Sequence, residues 1–418
     1  MSGRPTPVQG PWPLPDGWDW YPLGEVCEIN PKKPRAMSRA DEALTTFVPM
    51  SAVDQVTGAI AVRETRPYAE LKSKSFTYFE EGDVLFAKIT PSMENGKSAV
   101  ARGLTDGIGL GTTEFHVLRP NTGLVTAEWV HRFIRRRAFR REAAQHFQGA
   151  VGQQRVRPDF LKSTLIPVPR SLDRQRGLIQ YVDSILADVR RARTIAAGMT
   201  RDAQMVMESA MVEVFEGEAV KPGWAVDEVS ALCYKPEYGH TASAKREPVG
   251  PKFLRITDIQ GAKVDWAQVP FCECPRKKVE KFRLVPGDIL FARSGATTGK
   301  TFLVGDDCPD EAVFASYLIR LRVKGGVSAR YLAWFFQSRA YWKQITPRGA
   351  AQPNVNAQLL GQVRVPYPTA PADQERIVAH LDALRAEVEG LLQIGSGTVQ
   401  LLDDTEESAV ERAFRGEL

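Results

Sequence analysis

GDVLFAKITPSMENGKSAVA, residues 82–101, and GDILFARSGATTGKTFLV, residues 287–304, are two versions of one segment. Each opens on Gly-Asp, a turn signal, and runs through Val84-Leu85-Phe86-Ala87 or Ile289-Leu290-Phe291-Ala292, an apolar run of core-strand type. Each then crosses a polar stretch and returns through Gly96-Lys97 or Gly299-Lys300. Taken alone, SGATTGKT in the second copy looks like a phosphate-cradling loop, which needs Gly, four residues, then Gly-Lys-Ser/Thr at the start of a helix. The position of the first glycine holds Ser294, Gly295 is one place too close, and Thr301-Phe302-Leu303-Val304 reads as strand. The first copy has no such likeness, so strand, polar loop, strand is the shared unit and ATP binding is not expected.

The duplication extends outward in both directions. Gly17-Trp18 recurs as Gly223-Trp224 and Cys27 as Cys233; EFHVLRP from Glu114 recurs as YLIRLRV from Tyr317. AEWVHRFIRRRAFRRE from Ala127 recurs as ARYLAWFFQSRAYWKQ from Ala329. From Gln153 and Gln352 onward the offset is constant at 199, pairing Pro167 with Pro366, Gln175 with Gln374, Asp183 with Asp382 and Phe215 with Phe414. A repeat of this length is an architectural statement. Each copy holds a strand-rich globule of about 150 residues and one long connecting element, sizes ordinary for a domain and a linker helix.

In the first connecting element Leu178, Val182, Ile185 and Val189 step by four, three, four; in the second, Ile377, Leu381, Leu384, Val388 and Leu391 step by four, three, four, three. That is a heptad seam, which needs another surface to bury it. The surface is either the other helix or each helix's own globule. A helix from Leu172 to Phe215 runs roughly 65 Å at 1.5 Å per residue, longer than a small domain is wide, which favours helix against helix. Gly198 and Gly395-Ser396-Gly397 are places where the helices could bend. The expected fold is α+β: two pseudo-twofold-related, mixed strand-rich domains separated by two long antiparallel coiled-coil helices. The expected boundaries are 1–150, 151–216, 217–350 and 351–418.

Composition sets the class. The chain has 418 residues, 43% hydrophobic and 25% charged, with net charge +5. No apolar run approaches a membrane span, and MSGRPTPVQGPWPLP lacks the apolar core of a signal peptide, so a cytoplasmic location is expected. Five cysteines do not make a disulfide framework, and Cys272, Cys274 and Cys308 have no second close Cys/His pair to complete a metal site. HRFIRRRAFRR, His131 to Arg141, puts six arginines into eleven positions; this is either a solvated helix face or a footprint for an anionic partner, of which nucleic acid is the commonest. Two globules related by a pseudo-twofold axis match the local symmetry of duplex DNA, and two readers held a fixed distance apart select two half-sites with a fixed gap.

These segments, in this order and twice over, resemble the specificity subunit of type I restriction-modification enzymes. The likeness rests on GDVLFAKITPSMENGK, GTTEFHVLRP, GQQRV followed by a PVP segment, and GDILFARSGATTGK followed by DQERIVAHLDAL. It implies that each globule is a target recognition domain reading one half of a bipartite double-stranded DNA site. It implies that the helices dock two methyltransferase subunits and that restriction subunits join through them. S-adenosylmethionine, ATP and magnesium then belong to those partner subunits and no cofactor to this chain. LDRQRGLIQ in the first helical segment departs from the more acidic pattern of ADQERIVAH in the second.

The residues themselves point away from catalysis. An adenine amino-methyltransferase needs Asn/Asp-Pro-Pro-aromatic, whereas Asn30-Pro31 is followed by Lys32-Lys33; Glu70-Leu71-Lys72 has a nuclease-like spacing without a further acidic partner. Alternatives of other classes are an enzyme with fused catalysis and a two-lobed protein-interaction scaffold that does not bind DNA.

Base reading needs side chains that make paired hydrogen bonds. In the first domain Lys88, Thr90, Ser92, Glu94, Asn95 and Lys97, with Gln153, Gln154 and Arg155, are the candidates. In the second they are Arg293, Ser294, Thr297, Thr298 and Lys300, with Gln352, Asn354 and Asn356. Phosphate contacts are expected of Arg135, Arg136, Arg140, Arg276, Lys277 and Lys278.

Overall fold

The computed structural model describes residues 4–34, 39–62, 64–72, 75–150, 153–216, 222–261, 263–293, 299–345 and 355–418. It divides into two units, residues 1–196 with 397–418 and residues 197–396.

In the first unit the repeated segment forms the middle of a four-stranded antiparallel sheet, in the order Cys27–Ile29, Phe115–Pro120, Val84–Ala87, Ser98–Val100. All four residues of Val84–Ala87 are buried, because side chains alternate between two covered faces. Val84 and Phe86 join a core with Phe133, Phe139 and the helices, while Leu85 and Ala87 join a separate core with Val48 and Phe79. The second core belongs to another four-stranded sheet: Glu64–Pro67, Leu44–Val48, Ile108–Gly111, Thr77–Glu80. Strand Trp18–Pro22 pairs antiparallel with Leu165–Pro169, which places residues 165–169 in the globule; the long helix starts at Leu172.

The second unit repeats this plan. Its central sheet runs Glu237–Tyr238, Leu318–Leu321, Ile289–Ala292, Thr301–Leu303, and Trp224–Glu228 pairs with Arg364–Pro368. Val84 opposite Leu118 in one unit corresponds to Ile289 opposite Leu321 in the other. The expected strand after Lys300 is present. Residues 294–298 of the phosphate-loop look-alike lie outside the described residues, as do Gln352 and Asn354.

The Gly-Asp turn is locked identically in both. Gly82 and Gly287 take φ of 88° and 91°, a backbone conformation that favours glycine. Asp83 is buried and receives both arms of Arg119 at 2.9 and 2.8 Å; Asp288 receives both arms of Arg322 at 2.7 and 2.8 Å. A buried carboxylate is tolerable here because the guanidinium fork satisfies both oxygens.

The two long helices are Leu172–Phe215 and Pro371–Arg415, continuous through Gly198 and through Gly395-Ser396-Gly397. Within the first unit Leu178, Ile179, Val182 and Leu186 share a core with Val410, Ala413 and Phe414, and Arg193 bonds Asp403 and Glu406. Within the second, Phe215 shares a core with Val378 and Leu381, and a Cβ on Gly395 would come within 3.2 Å of the Thr200 hydroxyl. Both sets of contacts run antiparallel.

The seam differs from the expected one in detail. Leu178, Val182, Val189, Leu381 and Val388 are buried, Ile185, Ile377 and Leu384 are half-buried, and Leu391 is 46% exposed. Ile179, Leu186 and Val378 are buried instead alongside them. The reason is that each helix packs on globule and helix at once, so its apolar face is wider than a two-in-seven coiled-coil stripe. Both surfaces weighed from the sequence bury it.

Candidate nucleic-acid interface

In the first unit the polar loop after Ala87 is stitched to the segment around Gln153–Val156. Thr90 N–H donates to Gln154 C=O at 3.0 Å and Val156 N–H to Lys88 C=O at 2.9 Å. His116 Nε2 donates to Val156 C=O at 2.8 Å, which leaves Nδ1 to accept from Asn30 Nδ2 at 3.0 Å. The fold therefore brings Lys88, Thr90, Gln154 and Arg155, distant in sequence, to one edge. Ser92 and Lys97 are half-buried and Asn95 and Gln153 exposed. Lys97 Nζ donates to Met50 C=O at 3.0 Å, and the Thr90 hydroxyl donates to Glu94.

Arg155 is not an open cation. Both its arms bond Glu114, at 2.9 and 2.8 Å, and this pair holds the Glu114 carboxyl below its ordinary range. Glu114 is thus part of the edge and was missed in the sequence, where it reads as an ordinary strand-start residue. Burial lowers the Lys88 ammonium, with Glu114 opposing that shift.

The equivalent edge in the second unit carries different chemistry. Arg293 is exposed, with its guanidinium 5.1 Å from the Tyr238 ring centroid, and its N–H donates to Tyr317 C=O at 3.0 Å. Tyr317 stands where Glu114 stands in the first unit and is 65% exposed. Asn356 caps the helix Ala357–Gly361 by accepting from Leu359 N–H at 2.8 Å, and Ala357 N–H donates to the Tyr238 hydroxyl at 3.2 Å. Lys300 is exposed. Ser294, Thr297, Thr298, Gln352 and Asn354 lie outside the described residues. Tyr238 and Tyr317 were not singled out in the sequence, because one tyrosine in a strand pattern carries no sign of its exposure.

The expected phosphate contacts divide. Arg276, Lys277 and Lys278 are all exposed on the helix Arg276–Phe282. The arginine run of the first unit turns inward instead, so Arg135, Arg136 and Arg140 do not stand on an open surface. Arg136 is 8% exposed, with Phe133 and Phe414 rings at 4.6 and 5.2 Å. Arg135 donates to the carbonyls of Gly96, Gln55 and Val56, and Arg140 to that of Glu94. The helices Ala127–Arg135 and Arg137–Gln145 pack their apolar sides on the sheet, and at this spacing the long side chains cross the gap to the neighbouring helix and loop.

Both units thus present a loop-and-strand edge of hydrogen-bonding side chains on a shared scaffold. Among the described residues no group of three His, Cys, Asp or Glu is placed to hold a metal, and no helix is long and apolar enough to cross a membrane.

Comparisons with known proteins agree with this plan. Residues 273–393 match the family described as the type I restriction modification DNA specificity domain. The chain is 34% identical over 171 residues to the type I restriction enzyme EcoAI specificity subunit of Escherichia coli, covering 41% of this chain and 28% of that protein. Against the EcoEI specificity subunit of the same organism it is 34% identical over 166 residues, 40% of this chain and 27% of the relative. The matched region thus spans little more than a quarter of these curated relatives. A chain from a structure of complex assembly and conformational transition of the type I R-M system matches with TM-score 0.79 at 24% identity, over 98% of this chain and 100% of that one. The HsdS subunit from Thermoanaerobacter tengcongensis matches with TM-score 0.62, also at 24% identity, over 98% and 99%. At that identity the likeness shows the fold.

Proposed function

We propose that this chain, whose residues 273–393 match the type I restriction modification DNA specificity domain, is the DNA-recognition subunit of a type I restriction-modification enzyme. Each unit reads one half of a bipartite double-stranded DNA site, and the chain itself performs no chemistry. The observation that carries this reading is one scaffold, built twice, with unlike side chains at matching edge positions: Lys88 and Glu114 in one unit, Arg293 and Tyr317 in the other. A duplicated enzyme site would keep its reacting groups in both copies; two readers of two different half-sites need a common frame and different edges. The bidentate Glu114–Arg155 pair and the Arg293–Tyr238 contact hold their polar groups in fixed directions, as base-edge recognition requires.

Partners follow from the helices. In the second unit Met199 and Val206 on one helix and Leu391 and Ile394 on the other are 46–65% exposed; in the first, Ile195 and Leu401 are 64% and 66% exposed. Exposed apolar side chains repeated along a long helix support docking of other subunits. Two methyltransferase subunits bind there, restriction subunits join them, and S-adenosylmethionine, ATP and magnesium are held by those partners. The assembly works in the cytoplasm.

The test is a gel shift of the full chain, with and without methyltransferase subunits, on random duplexes over a salt series. Replacing Arg276, Lys277 and Lys278 by Gln weakens binding to all sequences alike and flattens the salt dependence, with a slope change of about 1 for each phosphate that is no longer neutralised. Tyr317→Ala shifts sequence preference instead. Absence of duplex binding in the assembled complex would make the chain a protein-interaction scaffold.

A further inference from the structure

The arginine run that turns inward in the first unit forms one wall of a cavity of about 80 Å³. Arg132, Arg135, Arg136, Arg137, Arg140 and Arg190 line it, against Glu406, Glu407 and Glu411 from the end of the second long helix. Six cations thus face three carboxylates, which are already engaged, and of the six Arg132 is also paired with Asp183. Glu406 bonds Arg193 at 2.8 Å, Glu407 bonds Arg137 at 3.1 Å, and Glu411 lies 3.5 Å from Arg136 Nε.

That last contact is an ion pair without a hydrogen bond. Arg136 Nε and Nη1, Arg132 Nε and Arg140 Nε are buried with no hydrogen-bond partner among the described residues. Arg135 and Arg140 spend their other donors on uncharged carbonyls. Burial holds the Arg135 guanidinium down to about 10, helped by the Arg132 and Arg140 charges. Buried guanidinium donors left unmet are strongly unfavourable, and a tetrahedral oxyanion accepts from several N–H donors at once. The second unit supplies an internal contrast: Trp334, Gln337, Ser338 and Trp342 occupy the positions of Arg132, Arg135, Arg136 and Arg140.

We propose that this cavity is a phosphate-binding site, in which one phosphate group accepts from Arg132, Arg136 and Arg140 and ties the helix pair Ala127–Gln145 to the end of the second long helix. The inference stands on the packing of the first unit and does not depend on the reading of DNA half-sites. The phosphate is either a free ion or a backbone phosphate of DNA.

The experiment titrates inorganic phosphate into the full chain, with chloride at matched ionic strength as control, and follows thermal unfolding and calorimetric binding. Phosphate raises the unfolding midpoint by several degrees and chloride does not. Arg140→Gln, at a half-buried position that tolerates the change, loses the response; Arg141→Gln, on the exposed side of the same helix, keeps it. Arg136→Met removes two of the four unmet buried donors, so it loses the response while being at least as stable as the wild type without phosphate. Repeating the titration on the chain saturated with duplex DNA separates the sources: unchanged binding assigns a free ion, and abolished binding assigns a backbone phosphate. A chain with no phosphate-specific response, or a response that survives both Arg136→Met and Arg140→Gln, overturns the site.

Discussion

Gln175 and Gln374 make the same three hydrogen bonds in their two units. Gln175 accepts from Thr126 N–H at 2.9 Å and donates to the carbonyls of Leu124 and Pro169 at 2.9 and 2.8 Å. Gln374 accepts from Ser328 N–H at 2.7 Å and donates to the carbonyls of Gly326 and Pro368 at 3.0 and 2.8 Å. Each is almost fully buried in the first turn of its long helix. Each therefore joins three elements with one side chain: the helix, the strand that precedes it, and the loop that enters the globule's own helices.

Replacing either glutamine with leucine keeps the volume and leaves buried backbone groups unmet. The expected loss is about 2 to 3 kcal/mol for each replacement. Hydrogen exchange at residues 124–126 speeds up in Gln175→Leu and at 326–328 in Gln374→Leu, each without the other. Equal loosening of both loops by one replacement would contradict the local account.

A second expectation concerns acid. Burial holds His116 down to about 4 and, with the Arg135 charge adding to it, His131 down to about 3. Both lie below the ordinary value near 6.5, so the folded chain keeps these rings neutral while the unfolded chain protonates them. Their contribution is intact above about pH 6.5 and is lost as pH falls toward 4 and 3. Between pH 7.5 and 5.5 each costs the first unit about 1 to 1.5 kcal/mol. The repeat offers the control: His116→Ile and His131→Ala copy the residues at the matching positions, Ile319 and Ala333. Denaturant unfolding of the double variant should depend less on pH over this window; an unchanged profile would remove these histidines from the account.

Much of the frame was legible in the sequence, for physical reasons that can be named. A short apolar run bounded by a Gly-Asp turn, such as Val84–Ala87, reads as a strand covered on both faces, and the first long helix was read with approximately the bounds it has, Leu172–Phe215. Side-chain direction was not legible. Arg136 and Arg141 sit in one run of like residues, yet one is buried against Phe414 and the other lies open, because the burying surface comes from residues nearly 300 positions away. Leu391 fits the heptad spacing but is exposed, since the helix face is set by globule and partner helix together. The exposure of Tyr317 was not legible either, because one tyrosine in a strand pattern does not say which way it faces.

The third expectation separates folding from docking on the helices. Met199→Asp and Ile394→Asp place charge on side chains already 55% and 65% exposed, so the isolated chain keeps its stability within about 0.5 kcal/mol. Co-purification with methyltransferase subunits is nevertheless abolished. Leu381→Asp, at a fully buried position, destabilises the chain itself by several kcal/mol. Assembly at wild-type affinity with both exposed positions changed would move the docking surface off this stripe.

The last expectation is where one half-site is stored. In the first unit Trp18–Pro22 pairs with Leu165–Pro169, and Leu23–Val26 packs beside Pro158–Ser163; in the second, Trp224–Glu228 pairs with Arg364–Pro368 and Val229–Leu232 packs beside Ala357–Gly361. These pieces form a frame at the root of each long helix, and the loop-and-strand edge lies between them in sequence. Exchanging residues 27–156 for the matching segment of a homologue therefore keeps the residues of frame and long helix and replaces the whole edge of the first unit, Lys88 to Arg155 included, provided the homologue rebuilds the contacts that Leu124, Thr126 and Trp129 make with Gln175, Pro167 and Phe414. The cut at 156 follows Val156, whose carbonyl is held by His116 from inside the exchanged segment, so that bond is kept. Modified-base sequencing of DNA from cells carrying the exchanged chain with its methyltransferase reads both halves of the site together with the gap between them. The expected outcome is a new sequence in one half, the old sequence in the other and the same gap, since the exchange leaves the residues of both long helices unchanged. A change in both halves would mean that recognition is shared between the units; a changed gap would mean that the globules, and not the helices, set the spacing.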